Sequence, residues 1–219
     1  VIVHDGLVRM LEKQENVFYY LSLMNENYVH QPMPKGAEEG IVRGMYQLHQ
    51  AKGKGLRVQL LGSGTILREV EAAAELLKKD FSVAADVWSV TSFSELRREA
   101  EKIDHAAMLN PDKQRPANWV EACLAGQAGP VIAATDYIKT LPDMIRPWIK
   151  APYRVLGTDG FGRSDTREKL RHFFEVDRYF IVVAALYELS LMGELQPADV
   201  TGAIKRYGLD PAKAWPVGQ

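Results

Sequence analysis

Apolar residues recur along the chain with two different periods, and the alternation between them lays out the fold. Residues 66–79 carry Ile66, Val70, Ala73, Ala74 and Leu77 at intervals of three and four, the rhythm of a helix that buries one face. Just before them, residues 57–61 are short and rich in Val and Leu and run into Gly62-Ser63-Gly64, which reads as a strand entering a tight turn. The same alternation continues. Strands are expected at 86–90, 131–134 and 153–156, with helices at 94–107, 119–124, 137–148, 165–174, 178–192 and 198–207. Residues 37–48 have helical spacing through Ile41, Met45 and Leu48, and Lys52-Gly53-Lys54-Gly55 is a turn. Near the start, Val17-Phe18-Tyr19-Tyr20-Leu21-Ser22-Leu23 is aromatic and aliphatic and reads as a strand. Before it, apolar residues keep a helical rhythm from Val1 through Leu7, Val8, Met10 and Leu11, so the chain is expected to enter in mid-helix, as an excised piece would.

Strands alternating with helices imply right-handed crossovers and a mostly parallel sheet covered on both faces. The expected fold is α/β, three layers deep (α/β/α), around a sheet of about five strands. The stretch from Asn25 to Gly36 holds Pro32 and Pro34, two residues apart, which disfavours helix and predicts an extended linker. A domain boundary is expected near residue 35, giving one segment over 1–35 and a larger α/β unit over 36–219.

Composition narrows the picture. The chain is 47% hydrophobic and 25% charged, ample for a globular core. Its formal net charge of −1 supplies no global field toward nucleic acid or a membrane surface. The longest apolar run, residues 179–186, falls short of the roughly 18 to 20 residues that span a bilayer. The single cysteine, Cys123, leaves no disulfide framework or cysteine metal cluster and fits a reducing, cytoplasmic compartment. It reads as a small buried apolar residue rather than a nucleophile.

Candidate chemistry is sparse. Gly62-Ser63-Gly64 lies between strand and helix, where backbone N–H groups can cradle an anion. Position 67 is Leu, so the dinucleotide fingerprint fails, and no Gly-Lys-Ser/Thr follows. A phosphate site and a plain tight turn both remain open. The run Gly157-Thr158-Asp159-Gly160-Phe161-Gly162 follows a strand, where parallel sheets bind ligands. Asp165 with Glu168 forms a capping box for the helix that follows. Arg163, Arg167 and Arg171 are four apart, and the latter two share a helix face that could meet a phosphate, a carboxylate or an acidic surface, or simply solvent. The five histidines, His4, His30, His49, His105 and His172, include no helical metal pair, and His172 beside Phe173-Phe174 reads as packed or interfacial. No complete catalytic constellation is present.

Several longer runs carry a resemblance. Met24-Asn25-Glu26-Asn27-Tyr28, Lys35-Gly36-Ala37-Glu38-Glu39-Gly40-Ile41, Val58-Gln59-Leu60-Leu61-Gly62-Ser63-Gly64 and Asp86-Val87-Trp88-Ser89-Val90-Thr91-Ser92-Phe93 resemble the bacterial homodimeric pyruvate dehydrogenase family. So do Thr135-Asp136-Tyr137, residues 153–167 and His172-Phe173-Phe174-Glu175-Val176-Asp177, in order along nearly the whole chain. That family is similar to transketolase in domain plan: a diphosphate-binding domain, a pyrimidine-binding domain and a C-terminal α/β domain. The resemblance implies that residues 1–35 end the pyrimidine domain and that 36–219 are the C-terminal domain.

It further implies an enzyme that decarboxylates pyruvate on thiamine diphosphate with Mg²⁺. That enzyme then reductively acetylates a lipoyl group on the dihydrolipoyl acetyltransferase component. Expected partners are the upstream domains and a second subunit in a homodimer, with no nucleic acid and no membrane. The family's Gly-Asp-Gly…Asn cofactor signature is missing, because Thr158-Asp159-Gly160 lacks the first glycine and no suitably spaced Asn follows. The segment is therefore expected to hold no catalytic, cofactor or metal residue, to act structurally and to be inactive alone. By the same resemblance, Phe161, Arg163, Arg167 and His172 are candidates for the dimer contact or the mouth of the substrate channel. A free-standing phosphate- or nucleotide-binding domain and a non-catalytic assembly module are the competing readings.

Overall fold

The computed structural model describes residues 1–24, 27–29 and 31–217; Asn25, Glu26 and His30, which the linker reading includes, lie outside the described residues. Five strands form one sheet: β1 (Met45–His49), β2 (Arg57–Gly62), β3 (Ala84–Val90), β4 (Val131–Ala134) and β5 (Tyr153–Leu156). Their order is β1-β3-β2-β4-β5. β2 pairs parallel with both β3 and β4, β4 pairs parallel with β5, and β1 runs antiparallel along β3. The mostly parallel sheet of the sequence reading is thus observed, with one antiparallel edge.

Helices α1 (Ile2–Leu7) and α2 (Glu38–Arg43) precede the sheet. The others are α3 (Leu67–Phe81), α4 (Phe93–Leu109), α5 (Trp119–Leu124), α6 (Thr140–Asp143), α7 (Arg167–Phe173), α8 (Arg178–Leu191) and α9 (Pro197–Arg206). Side chains alternate across each strand and divide the core in two. Val58, Leu60, Val87, Ile132 and Ala134 face one way, onto Val70, Ala73 and Leu77 of α3, Ile181, Ala185 and Leu189 of α8, and Val200 and Ala203 of α9. Leu61, Trp88, Val90, Val131 and Ala133 face the other, onto Phe93 and Leu96 of α4 and Val120 of α5. α8 is apolar nearly all round because it is buried between α3 and α9 as well as against the sheet.

Four local expectations need correction. Residues 17–23 form no strand: Phe18, Tyr20 and Leu23 are 88%, 87% and 88% exposed, and among the described residues no neighbouring strand offers them a ladder. Residues 37–48 are not one helix. α2 stops at Gly44, whose φ of 108° breaks the helix, and Met45 and Leu48 belong to β1. The helix expected over 137–148 shrinks to α6 and a 3₁₀ turn (Arg146–Trp148), since Pro142 and Pro147 cannot donate to a continuous helical ladder. Finally, α7 is capped by Thr166, whose hydroxyl accepts from Lys169 N, so the Asp165–Glu168 capping box does not form. Asp165 instead accepts from Thr166 N at 2.7 Å.

Candidate functional site

From β2 the chain crosses to β3 on one side, and β4 and β5 then add on the other. The carboxyl ends of β2 and β4 therefore diverge at a switch point, the place where open α/β sheets leave a crevice. The Ser63 and Thr135 hydroxyls bond across it at 2.7 Å. Gly62 and Gly64 allow the turn to close tightly. A Cβ at Gly62 would lie 2.8 Å from Leu67 Cα, and Gly64 adopts φ +55°, a conformation side chains resist.

Above this point lies a cleft of about 310 Å³, lined by Thr65, Asp136, Thr158, Arg163, Arg167 and Arg171, with Met24, Ile66, Leu170, Phe174 and Val176 supplying its apolar surface. Ile66 and Val176 are fully buried and form the floor; Arg163 and Arg167 are exposed and form the rim. The glycine-rich loop after β5 is stitched to the loop after β4. Thr158 donates its hydroxyl to Asp136 O (2.6 Å), and Lys139 N donates to Asp159 Oδ1 (2.8 Å). A Cβ on Gly157 would come within 2.7 Å of Tyr137 O, so the two loops need glycine there.

Charge in the wall is arranged around Glu69, which is 5% exposed. Its carboxylate accepts from Arg178 Nε (2.8 Å), Arg178 Nη2 (3.1 Å) and Arg178 N (3.1 Å), with Arg171 Nη1 at 3.4 Å. Burial alone would raise its pKa, but the Arg178 hydrogen bond and charge outweigh it and hold the carboxyl below its ordinary value. Arg171 also donates to Thr65 Oγ1 (3.0 Å) and Tyr28 OH (3.3 Å), and Arg68 lies over the Tyr28 ring at 4.4 Å. The linker tyrosine thus bonds two of the residues that line the cleft. Asp136 behaves oppositely to Glu69. Burial pushes its carboxyl up, and the charge of Arg171 only partly offsets this.

The structure brings Arg163 and Arg167 to the cleft together with Arg171. The Arg163 guanidinium sits 5.1 Å from the Phe173 ring centre. Phe161 does not line it and is 76% exposed. His172 points to another neighbourhood, with Nδ1 2.9 Å from Asp177 Oδ2 and its ring against Phe180, while Asp177 caps α8 through Tyr179 N and Phe180 N. Cys123 is half-buried, and burial pushes its thiol up to about 11, which suppresses the nucleophilic thiolate. His30 lies outside the described residues. Sequence reasoning missed Glu69, Asp136 and Tyr28. Glu69 left a signal, an acid set within the buried stripe of Ile66, Val70 and Ala73, whereas Tyr28 left none. Among the described residues, no three or more His, Cys, Asp and Glu side chains group so as to hold a metal ion, and no helix is long and apolar enough to cross a membrane.

A wider hollow of about 620 Å³ lies beside the opposite ends of the strands, near Gln59, Glu121 and Lys150. Its arginine, Arg115, is already bonded to Glu121 (2.8 Å) and Asp104 (2.6 Å).

Comparison with known proteins gives two adjoining matches. Residues 1–31 match the pyruvate dehydrogenase E1 component middle domain, and residues 44–177 match the transketolase-like TK C-terminal domain. The chain is 54% identical to the pyruvate dehydrogenase E1 component of Pseudomonas aeruginosa over 219 residues, covering 99% of this chain and 25% of that protein. It is 50% identical to the Escherichia coli protein of the same name over 218 residues, covering 99% and 24%. The chain thus spans about a quarter of the length of the curated relatives it matches. Among solved structures, a transketolase from Leishmania mexicana aligns with a TM-score of 0.48 at 19% identity, covering 73% of this chain and 20% of that one.

Proposed function

Since the chain belongs to the transketolase-like C-terminal domain family, we propose that it is the closing portion of a pyruvate dehydrogenase that decarboxylates pyruvate on thiamine diphosphate and Mg²⁺. In this reading the enzyme passes the two-carbon unit to a lipoyl group of the acetyltransferase component in the cytoplasm. The observation that carries the reading is the order of the two matches, a middle domain ending by residue 31 and a C-terminal domain beginning at 44. The boundary belongs near residue 35, where Pro32 and Pro34 lie in irregular chain.

The chemistry is assigned to domains outside these residues. The donor set here does not fit a diphosphate and its metal: Asp159 of Thr158-Asp159-Gly160 is engaged by Lys139 N, and no acidic or histidine cluster stands nearby among the described residues. The role of this segment is structural. Its α/β unit supports the preceding domains and a second subunit, with Phe161, Arg163, Arg167 and His172 at or near the dimer contact or the channel mouth. The exposure of Phe161, a bare aromatic on a glycine-rich loop, supports that placement.

Two measurements test the proposal. The full-length protein should release CO₂ from pyruvate when supplied with thiamine diphosphate and Mg²⁺, and residues 1–219 alone should release none. Turnover by the isolated residues would overturn it. For the interface, Arg167→Glu in the full-length protein should weaken dimerisation or turnover, and loss of neither would remove that role.

A further inference from the structure

We propose that the C-terminal tail, residues 210–217, is a clasp on the glycine-rich loop after β5, with Lys213 the positioning residue that closes it. The inference deepens the interface reading and rests on it for its consequence, since the loop carries Phe161 and Arg163.

The tail is aimed by its own sequence. Leu209, just past α9, is buried and anchors it. Asp210-Pro211-Ala212-Lys213 then makes a four-residue turn. Lys213 N donates to Asp210 O (3.1 Å) and Ala212 N to Asp210 Oδ1 (2.8 Å), with Pro211 where a fixed φ suits the bend. The turn sends the Lys213 ammonium to the end of α7, where Nζ donates to Phe173 O (2.8 Å) and Glu175 Oε1 (2.9 Å). A cation there also meets the negative end of the helix. Only 19% of the Lys213 side chain is exposed, which is unusual for a lysine and sustainable because these two oxygens replace its water.

Two contacts carry the tail's hold to the loop. One runs through side chains: the Phe173 ring centre lies 5.5 Å from Lys213 Nζ and 5.1 Å from the Arg163 guanidinium. The other runs through backbone. Pro216 is buried, and a Cβ on Gly160 would lie 3.3 Å from Pro216 O and 3.4 Å from Val217 Cα, with Gly160 itself at φ +102°. Phe161 is the next residue, so the tail fixes the backbone from which that exposed ring projects. Strain marks the same place. Glu175, just past α7, has φ 61°, a left-handed conformation for which helix ends ordinarily use glycine. Glycine would end the helix with less strain but could not hold Lys213. The carboxylate at that position thus serves the tail rather than the helix.

Hydrogen exchange on the full-length protein tests the clasp. Lys213→Met should raise exchange across residues 157–163 by about five- to tenfold, including the Thr158 amide bonded to Tyr137 O, while β2 and β4 keep their wild-type rates. Lys213→Arg keeps the charge and should restore the loop. Glu175→Gly removes the grip and the left-handed strain together, so it should loosen the loop by about twofold without lowering the melting temperature. Arg206→Gln, which breaks the Arg206–Asp80 pair on α9, should leave the loop unchanged. Wild-type exchange in the loop of Lys213→Met and Glu175→Gly, a rise spread evenly over the α/β unit, no recovery with arginine, or an equal rise in Arg206→Gln would overturn the proposal. Sedimentation and turnover of the same samples read the consequence: a weaker dimer or a lower rate is expected with Lys213→Met. A loosened loop with dimer and turnover both intact would leave the clasp standing and remove the interface reading instead.

Discussion

Two runs of similar composition meet opposite fates in this chain. Residues 17–23 (VFYYLSL) and β3 (AADVWSV) are both rich in aromatic and aliphatic residues. In β3 the central positions Val87 and Trp88 are 1% and 4% exposed, hydrogen-bonded between β2 and β1 and covered by helices on both faces. In residues 17–23 the aromatic rings of Phe18 and Tyr20 stand in solvent. β-propensity is a preference for a pleated, half-buried surface, so a run that has it but lacks neighbours stays irregular. The contrast teaches that a strand is a property of its partners. Residues 1–31 match a middle domain, whereas β3 lies within the transketolase-like C-terminal match.

The strongest way to break this comparison is to mutate both regions equally. Leu60→Ala, in the middle of the buried sheet, should cost about 2–5 kcal/mol in urea unfolding of the 219-residue chain. Phe18→Ala in the same chain should stay within about 0.5 kcal/mol of wild type. In the full-length protein Phe18→Ala should become destabilising, and an equally silent result there would show that residues 17–23 gain no ladder upstream.

Next in size is the Glu69 centre, which ties α3 to α8. Arg178→Ala leaves a buried carboxylate short of its main partner and should cost about 1–3 kcal/mol at neutral pH. Glu69 has a folded-state pKa below its ordinary value, so the stability it contributes is present above the ordinary carboxylate range. It is lost as pH falls through the folded-state value. The gap between wild type and Arg178→Ala should therefore close on acidification; a constant gap would mean that the arginine acts through packing alone.

Smaller still is the seam between the two regions. Tyr28→Phe removes the hydroxyl that meets Thr65 Oγ1 at 2.8 Å and Arg171, and should cost about 0.5–1.5 kcal/mol. Protease sensitivity of residues 17–24 should rise with it. The smallest effect belongs to Asp136. Its carboxyl is raised by burial, so stability should decline as pH rises from the ordinary carboxylate range through the raised folded-state value. Asp136→Asn should thus stabilise slightly at neutral pH and flatten that decline.

Much of this molecule could be read from residue order. The spacing of Val70, Ala73 and Leu77 marked the face α3 buries, and the short apolar runs at 131–134 and 153–156 marked the strands, because burial on one or both sides imposes its own period. The alternation of these elements was enough for a mostly parallel, doubly covered sheet. The order of the resembling runs was enough for the family.

Other features depended on which elements meet. Met45 and Leu48 fit a helical rhythm, yet Gly44 ends α2 and β3 offers an edge, so they become strand. Arg163, Arg167 and Arg171 were visible as a spacing. That they face a crevice with Asp136 and Thr65, more than twenty-five residues away in sequence, follows only from the strand order. Local periodicity is encoded within one or two turns of chain, whereas a cleft is made by segments brought together over long separations. Its charge, burial and pKa shifts exist only once the sheet has assembled.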